Sequence, residues 1–275
     1  MAETDDIFIE RVDSNGEIVR LRLVDYGGVG PAALLLHGLA GAAHEWRDTS
    51  AWLCETHHVF AFDQRGHGGS AKRLISFSRE EFVADAVDII EAITSDPVLL
   101  VGQSHGGVTA LLVAARYPDL VSRLVVIEAG ILCNPNASSS IARWLDSWPV
   151  PFADRMSARV FFGGDTNAAR VWAEMLVETS DGFRPVFHRD DMIASVREGE
   201  AIRDYADDWR RIICPIHIVA GKAGWIGCEL ERMIALNARA SIDVILGAGH
   251  DVHLDAPELW KSSAERFLCG AEQSE

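Results

Sequence analysis

Short runs of nearly unbroken apolar residues recur along this chain: AALLLHG, HVFAFD, VLLVG, LVVIEAG, IHIVA and IDVIL. A strand with one wet face alternates apolar and polar residues, so runs without alternation belong to strands covered on both faces. Such strands form parallel sheets, and parallel neighbours need a crossover segment between them. The segments in between have helical period. SREEFVADAVDIIEAI sets Phe82, Val83, Val87, Ile90 and Ile93 on one side, with Ser78 as N-cap and Glu81 completing a capping box. GGVTALLVAARYP and APELWKSSAERFL have the same character. Ahead of the first continuous run, IFIERV and IVRLRLV do alternate, and SNGE between them is a hairpin turn. The expected fold is α/β: two half-exposed antiparallel strands and six buried ones, in a mostly parallel eight-stranded sheet with helices on both faces.

One interval breaks the rhythm. Between LVVIEAG and PIHIVA, about 80 residues hold no convincing strand. They carry Trp144, Trp148, Phe152, Phe161, Phe162, Trp172, Phe183, Phe187 and Trp209. A structureless loop of that length is improbable in a compact domain, so residues 131–210 are expected to form a helical cap (lid) insertion. Residues 1–130 and 211–275 would then form the core. Most of these aromatics must hold the insertion together, while Trp144 and Trp148 are expected to line an apolar pocket. The tail GAEQSE is expected to fray.

Chemistry concentrates where VLLVG runs into a helix through Gly102-Gln103-Ser104-His105-Gly106. G-x-S-x-G alone is a weak pattern; between a buried strand and a helix it is strong. A sharp turn there strains the serine backbone, and glycines on both sides keep it clear of neighbouring chain. Ser104 would project with a helix N-terminus behind it. A serine hydroxyl needs a base. His250, in ILGAGHDVHLDAPE, follows the last strand and would reach the same sheet edge; His253 is the rival, read as a structural or pocket histidine. His250, Asp251, His253 and Asp255 do not make a coherent metal set, so no metal and no cofactor are expected. Oxyanion donors would be the backbone N–H groups of His105 and of Leu39 in LLLHGLAG, with His37 a buttress of that loop or a pocket residue.

LLHG, DQRGHGGS, GQSHGG and GAGHDVHLDAPE occur in the order and spacing of the α/β-hydrolase superfamily, which the chain resembles over residues 20–270. The resemblance implies an eight-stranded α/β-hydrolase sheet, with Arg65 and His67 as loop anchors. It also implies an acid to orient the histidine, often an Asp in the loop after the seventh strand. Here that loop is AGKAGWI, and its slot is occupied by Gly224. Glu229 and Glu231, further on, read as surface residues. Glu128 ends the apolar strand RLVVI, where an unpaired carboxylate is costly, and the order Ser104, Glu128, His250 suits nucleophile, acid and base. Some superfamily members place the acid after this strand. Trp225 would then stand near the pocket.

The expected activity is that of a serine hydrolase cleaving a small, largely apolar ester, lactone or amide through an acyl-enzyme on Ser104. Haloalkane dehalogenases use Asp where Ser104 stands, which argues against that chemistry. SHGG also resembles cofactor-independent dioxygenases of hydroxy-oxo N-heteroaromatics, in which a His250–Glu128 pair would be the base. A ligand-binding receptor on the same scaffold is the third alternative. A net charge of -16 argues against a nucleic-acid partner. No apolar run approaches the roughly 20 residues of a membrane span, and MAETDDIFIE lacks the features of a secretory signal. Five scattered cysteines suit a reducing cytoplasm. The partner expected is a small-molecule substrate, with no nucleic acid and no membrane; a homodimer is left open.

Overall fold

The computed structural model describes residues 5–202 and 204–270. Strands β1 (Asp5–Val12), β2 (Ile18–Gly28) and β3 (Ala32–Leu36) come first. Then follow α1 (Arg47–Leu53), β4 (His58–Phe62), α2 (Arg79–Ile93), β5 (Val98–Gln103), α3 (Ser104–Arg116) and β6 (Val121–Ile127). The long interval holds α4 (Ala137–Asp146), α5 (Arg155–Phe161), α6 (Asn167–Glu174), β7 (Val177–Thr179), β8 (Gly182–Arg184), α7 (Arg189–Arg197) and α8 (Ala206–Arg211). The chain returns to the sheet with β9 (Ile216–Gly221), α9 (Leu230–Leu236), β10 (Ala240–Ile245), α10 (Val252–Asp255) and α11 (Pro257–Gly270).

The main sheet has eight strands in the order β1-β2-β4-β3-β5-β6-β9-β10. β1–β2 and β2–β4 are antiparallel, and every other neighbouring pair is parallel. The unbroken apolar runs are explained by two cores. Leu34 and Leu36 pack in one layer with Val87 of α2 and Leu111 of α3. Ala33 and Leu35 pack in the other, with Leu53 of α1 and Trp260 of α11. Full burial of each such leucine contributes roughly 2 kcal/mol, so neither face of these strands accommodates an unpaired polar group. β3 lies between β4 and β5, so strand order reverses there. The crevice beyond the C-terminal ends of strands at such a point is where ligands bind in open α/β sheets.

Three local expectations are revised. Ser78 does cap α2, accepting the Glu81 N–H at 3.3 Å. The Glu81 carboxylate, however, does not close the capping box; it accepts from Arg11 (2.6 Å), Arg65 (3.1 Å) and the Ser14 N–H (2.9 Å). Two cations, Arg65 buried and Arg11 half-buried, are stronger partners for a carboxylate than one backbone donor. The long interval is not wholly helical, because β7 and β8 form a short antiparallel hairpin. Trp209, counted with the insertion by sequence, is buried in the core layer of α3 and donates its indole N–H to the Met233 carbonyl at 2.8 Å. The expected fraying falls on residues 271–275, outside the described residues. No helix among the described residues is long and apolar enough to cross a membrane.

Candidate active site

α3 begins at the residue after β5 ends, so Ser104 turns the chain with no linker to help it. Its φ is 50°, the left-handed region that disfavours a residue with a Cβ. The turn is possible because Gly102 and Gly106 carry no side chains. A Cβ on Gly102 would fall on the Gly106 carbonyl, and one on Gly106 on the carbonyls of Leu36 and His37. The G-x-S-x-G spacing is thus a packing requirement of the turn.

Ser104 Oγ lies 2.9 Å from His250 Nε2. His250 Nδ1 lies 3.4 Å from Glu128 Oε2. A neutral imidazole that accepts the serine hydroxyl at Nε2 carries its own hydrogen on Nδ1, facing that carboxylate. Glu128 follows β6 directly, has φ 49°, and is 2% exposed. Two backbone donors hold its carboxylate: the Gly221 N–H on Oε1 at 2.8 Å and the Trp225 N–H on Oε2 at 2.8 Å. The AGKAGWI loop therefore closes around the acid. A Cβ on Gly224 would fall on the Glu128 carboxylate, so a side chain there and Glu128 exclude one another. The Trp225 indole stacks on the His250 ring, centroids 3.7 Å apart and planes at 16°.

Of the two proposed oxyanion donors, Leu39 lies on the loop after β3 and His105 in the first turn of α3. His105, the second residue of α3, is buried; its Nε2 faces the Ser195 carbonyl at 3.3 Å and its ring meets Phe82 edge-on at 4.5 Å. Leu39 packs against the aromatic cluster of the long interval. The loop carrying Leu39 is braced from below. His37 Nε2 accepts the Gln64 N–H at 2.9 Å, which puts its hydrogen on Nδ1, donated to the Gly38 carbonyl at 2.7 Å. His67 Nε2 accepts the Ala40 N–H at 3.1 Å, and Arg65 forms a fork to Asp85 at 2.6 and 2.7 Å.

For His37 and His253 the structural alternative holds and the pocket one does not. His37 is fully buried with both ring nitrogens taken by backbone groups, so it is a brace. His253 is buried inside the fold, stacked on Trp46 at 4.4 Å, with Nε2 3.3 Å from Glu45 Oε1. Trp148 is buried among Trp144, Trp172 and Phe162, and lines a cleft of about 510 Å³ to which Ser104 and His250 do not contribute. Trp144 is 38% exposed.

Sequence reasoning weighed Asp251 only as a metal ligand. Its Oδ2 accepts the Trp172 indole N–H at 2.9 Å, and its Oδ1 lies 3.3 Å from the Gln103 amide nitrogen. The same amide nitrogen is 3.1 Å from the His250 carbonyl. The insertion is thereby hydrogen-bonded to the residue after His250. Adjacency to His250 was a legible signal for Asp251; nothing set Trp172 apart from the other aromatics. Glu229 is also not a surface residue. It is buried and accepts the N–H groups of Ile131 and Leu132 at 2.8 Å each, fixing the loop that follows Glu128. Burial raises its pKa.

Burial holds the imidazoles of His67 and His105 well below their ordinary pKa, with neighbouring His37 and Arg79 respectively adding repulsion. His57 and His217 shift the same way by burial. Between the folded values and the ordinary value near 6.5, the unfolded chain binds more protons than the folded one. Stability is therefore full above about pH 6.5 and falls as pH drops below it, by up to about 1.4 kcal/mol per pH unit for each fully shifted histidine. Urea unfolding at pH 7.5, 6.5 and 5.5 should show midpoints falling in that order; a flat or rising series would contradict the assignment.

A model of the alpha/beta hydrolase family matches residues 33–260. The 2-(acetamidomethylene)succinate hydrolase of Mesorhizobium japonicum is 26% identical over 249 residues, 88% of this chain and 89% of that protein. The (E)-2-((N-methylformamido)methylene)succinate hydrolase of Acinetobacter baylyi is 23% identical over 250 residues, covering 88% and 91%. The crystal structure of an E-2-(acetamidomethylene)succinate hydrolase superposes with a TM-score of 0.85 at 23% identity, over 96% of this chain and all of the other, a likeness of fold.

Proposed function

The chain belongs to the alpha/beta hydrolase family, and from that premise we propose that it cleaves a small, largely apolar ester, lactone or amide through an acyl-enzyme on Ser104. The observation that carries this is the 2.9 Å approach of Ser104 Oγ to His250 Nε2, with Glu128 behind Nδ1. As the serine oxygen attacks the carbonyl carbon, its proton passes to Nε2, and the buried Glu128 carboxylate faces the resulting imidazolium. Charge develops on the substrate oxygen, where the N–H groups of Leu39 and His105 would receive it. His250 then returns the proton to the leaving group. Water repeats the sequence on the acyl-enzyme and frees Ser104.

With residues 131–210 as the cap of this reading, the apolar part of the substrate would rest against Trp172, which is hydrogen-bonded to Asp251 beside His250. The two relatives are, by their names, hydrolases of amide-bearing methylenesuccinates, which supports keeping amides in the substrate class. The test is a fluorophosphonate probe followed by a panel of p-nitrophenyl esters, lactones, anilides and N-acyl enamides. A covalent adduct on Ser104, with turnover of at least one class, is expected. No adduct, together with oxygen uptake on a hydroxy-oxo heteroaromatic, would move the chemistry to the His250–Glu128 pair alone. Ligand affinity with no adduct and no turnover would point to a receptor.

A further inference from the structure

The stack of Trp225 on His250 has no part in the mechanism above, although it lies on the group that moves the proton. The indole is 70% exposed, an unusual place for so large an apolar surface unless it serves a contact. Its backbone is not free to drift: the Trp225 N–H donates to Glu128 Oε2, the oxygen that also faces His250 Nδ1. One carboxylate oxygen thus sets the position of both rings. The imidazole meets Ser104 and Glu128 through its in-plane nitrogens, and the indole covers one of its faces at 16°, so stacking and both polar contacts coexist.

We propose that Trp225 is a positioning residue of this site, resting on the acyl-enzyme reading. Its indole face keeps the His250 ring in the plane shared by Ser104 and Glu128 and stabilises the imidazolium formed when the ring takes the serine proton. A cation over an indole is attracted by the negative face of the ring, and attraction to the neutral imidazole is weaker. The other groups around His250 are Ser104 at the start of α3, Glu128 at the end of β6, Asp251 on its own loop and Asp255 of α10, which accepts the Gly249 N–H. Lys222, the one cation of the AGKAGWI loop, is exposed.

Trp225→Leu keeps an apolar cover over the imidazole and removes the π face; Trp225→Phe keeps a smaller one. The readout is the second-order rate of fluorophosphonate labelling of Ser104 against pH, which needs no known substrate. Trp225→Phe is expected within about twofold of the native protein, whereas Trp225→Leu falls about two- to fivefold and its acid limb moves to lower pH by about half a unit. Unchanged rate and limb in Trp225→Leu, or a limb displaced to higher pH, would overturn the proposal while labelling of the native protein leaves the acyl-enzyme reading standing. Native protein that does not label at Ser104 would overturn both.

Discussion

Ser104→Ala is expected to lower kcat on any turned-over ester or amide by about 10⁶-fold, with little change in substrate binding. In serine hydrolases the nucleophile and base act as a unit, so removing either costs nearly as much as removing both. Alanine is a fair test here because it has the same Cβ as serine in the left-handed turn and adds nothing to the crowded space between Gly102 and Gly106. The donors proposed for the oxyanion are backbone groups and remain in place. Residual catalysis over water of about 10³- to 10⁴-fold is therefore expected from them and from binding. Single-turnover kinetics with an active-site titration, beside circular dichroism to verify the fold, measures this. A folded Ser104→Ala protein within tenfold of native kcat would sink the acyl-enzyme.

The second large effect concerns the acid. Glu128→Gln is expected to lower kcat about 10³- to 10⁴-fold, because the imidazolium loses its counter-charge and the tautomer of His250 is no longer enforced. The glutamine also introduces an NH₂ where two or more donors converge. Oriented either way, it faces the Gly221 N–H or the Trp225 N–H, both now bonded to carboxylate oxygens at 2.8 Å. A buried donor facing a donor costs about 1–3 kcal/mol, so the variant should also unfold at lower urea. Glu229→Gln is the control. It loses charge on the carboxylate that holds the Ile131 and Leu132 N–H groups, and stability should fall while kcat stays within about tenfold. Paired measurement of kcat and urea midpoint separates the two. An inactive, folded Glu229→Gln beside an active Glu128→Gln would reverse the assignment.

Gly224 shows how far sequence could take the search for that acid. From the chain alone it was an absence, a loop without the carboxylate its position leads one to look for. In the structure it is a steric condition: the space above Gly224 is filled by the Glu128 carboxylate, whose oxygens are bonded to residues on either side of that glycine. Sequence could nominate Glu128 because an acid closing an apolar strand needs a partner, and it could not say which donors would surround it. Glu81 makes the same point in reverse. Its local spacing promised a capping box, and Arg11 and Arg65, far along the chain, drew its carboxylate away.

The sheet, its two covered faces, the Ser104 turn and the approach of His250 were determined by the sequence itself. Each rests on local rules: periodicity of apolar residues, glycines where a Cβ would collide, and a parallel topology that delivers strand ends to one edge. What only the tertiary structure decided are contacts between residues distant in the chain. His37 became a brace, His253 was packed on Trp46, Trp172 was tied to Asp251, and Trp225 was laid on His250. A side chain's role in these cases depends on which partners surround it in the fold, and that is set by the packing of whole layers, which no local pattern records.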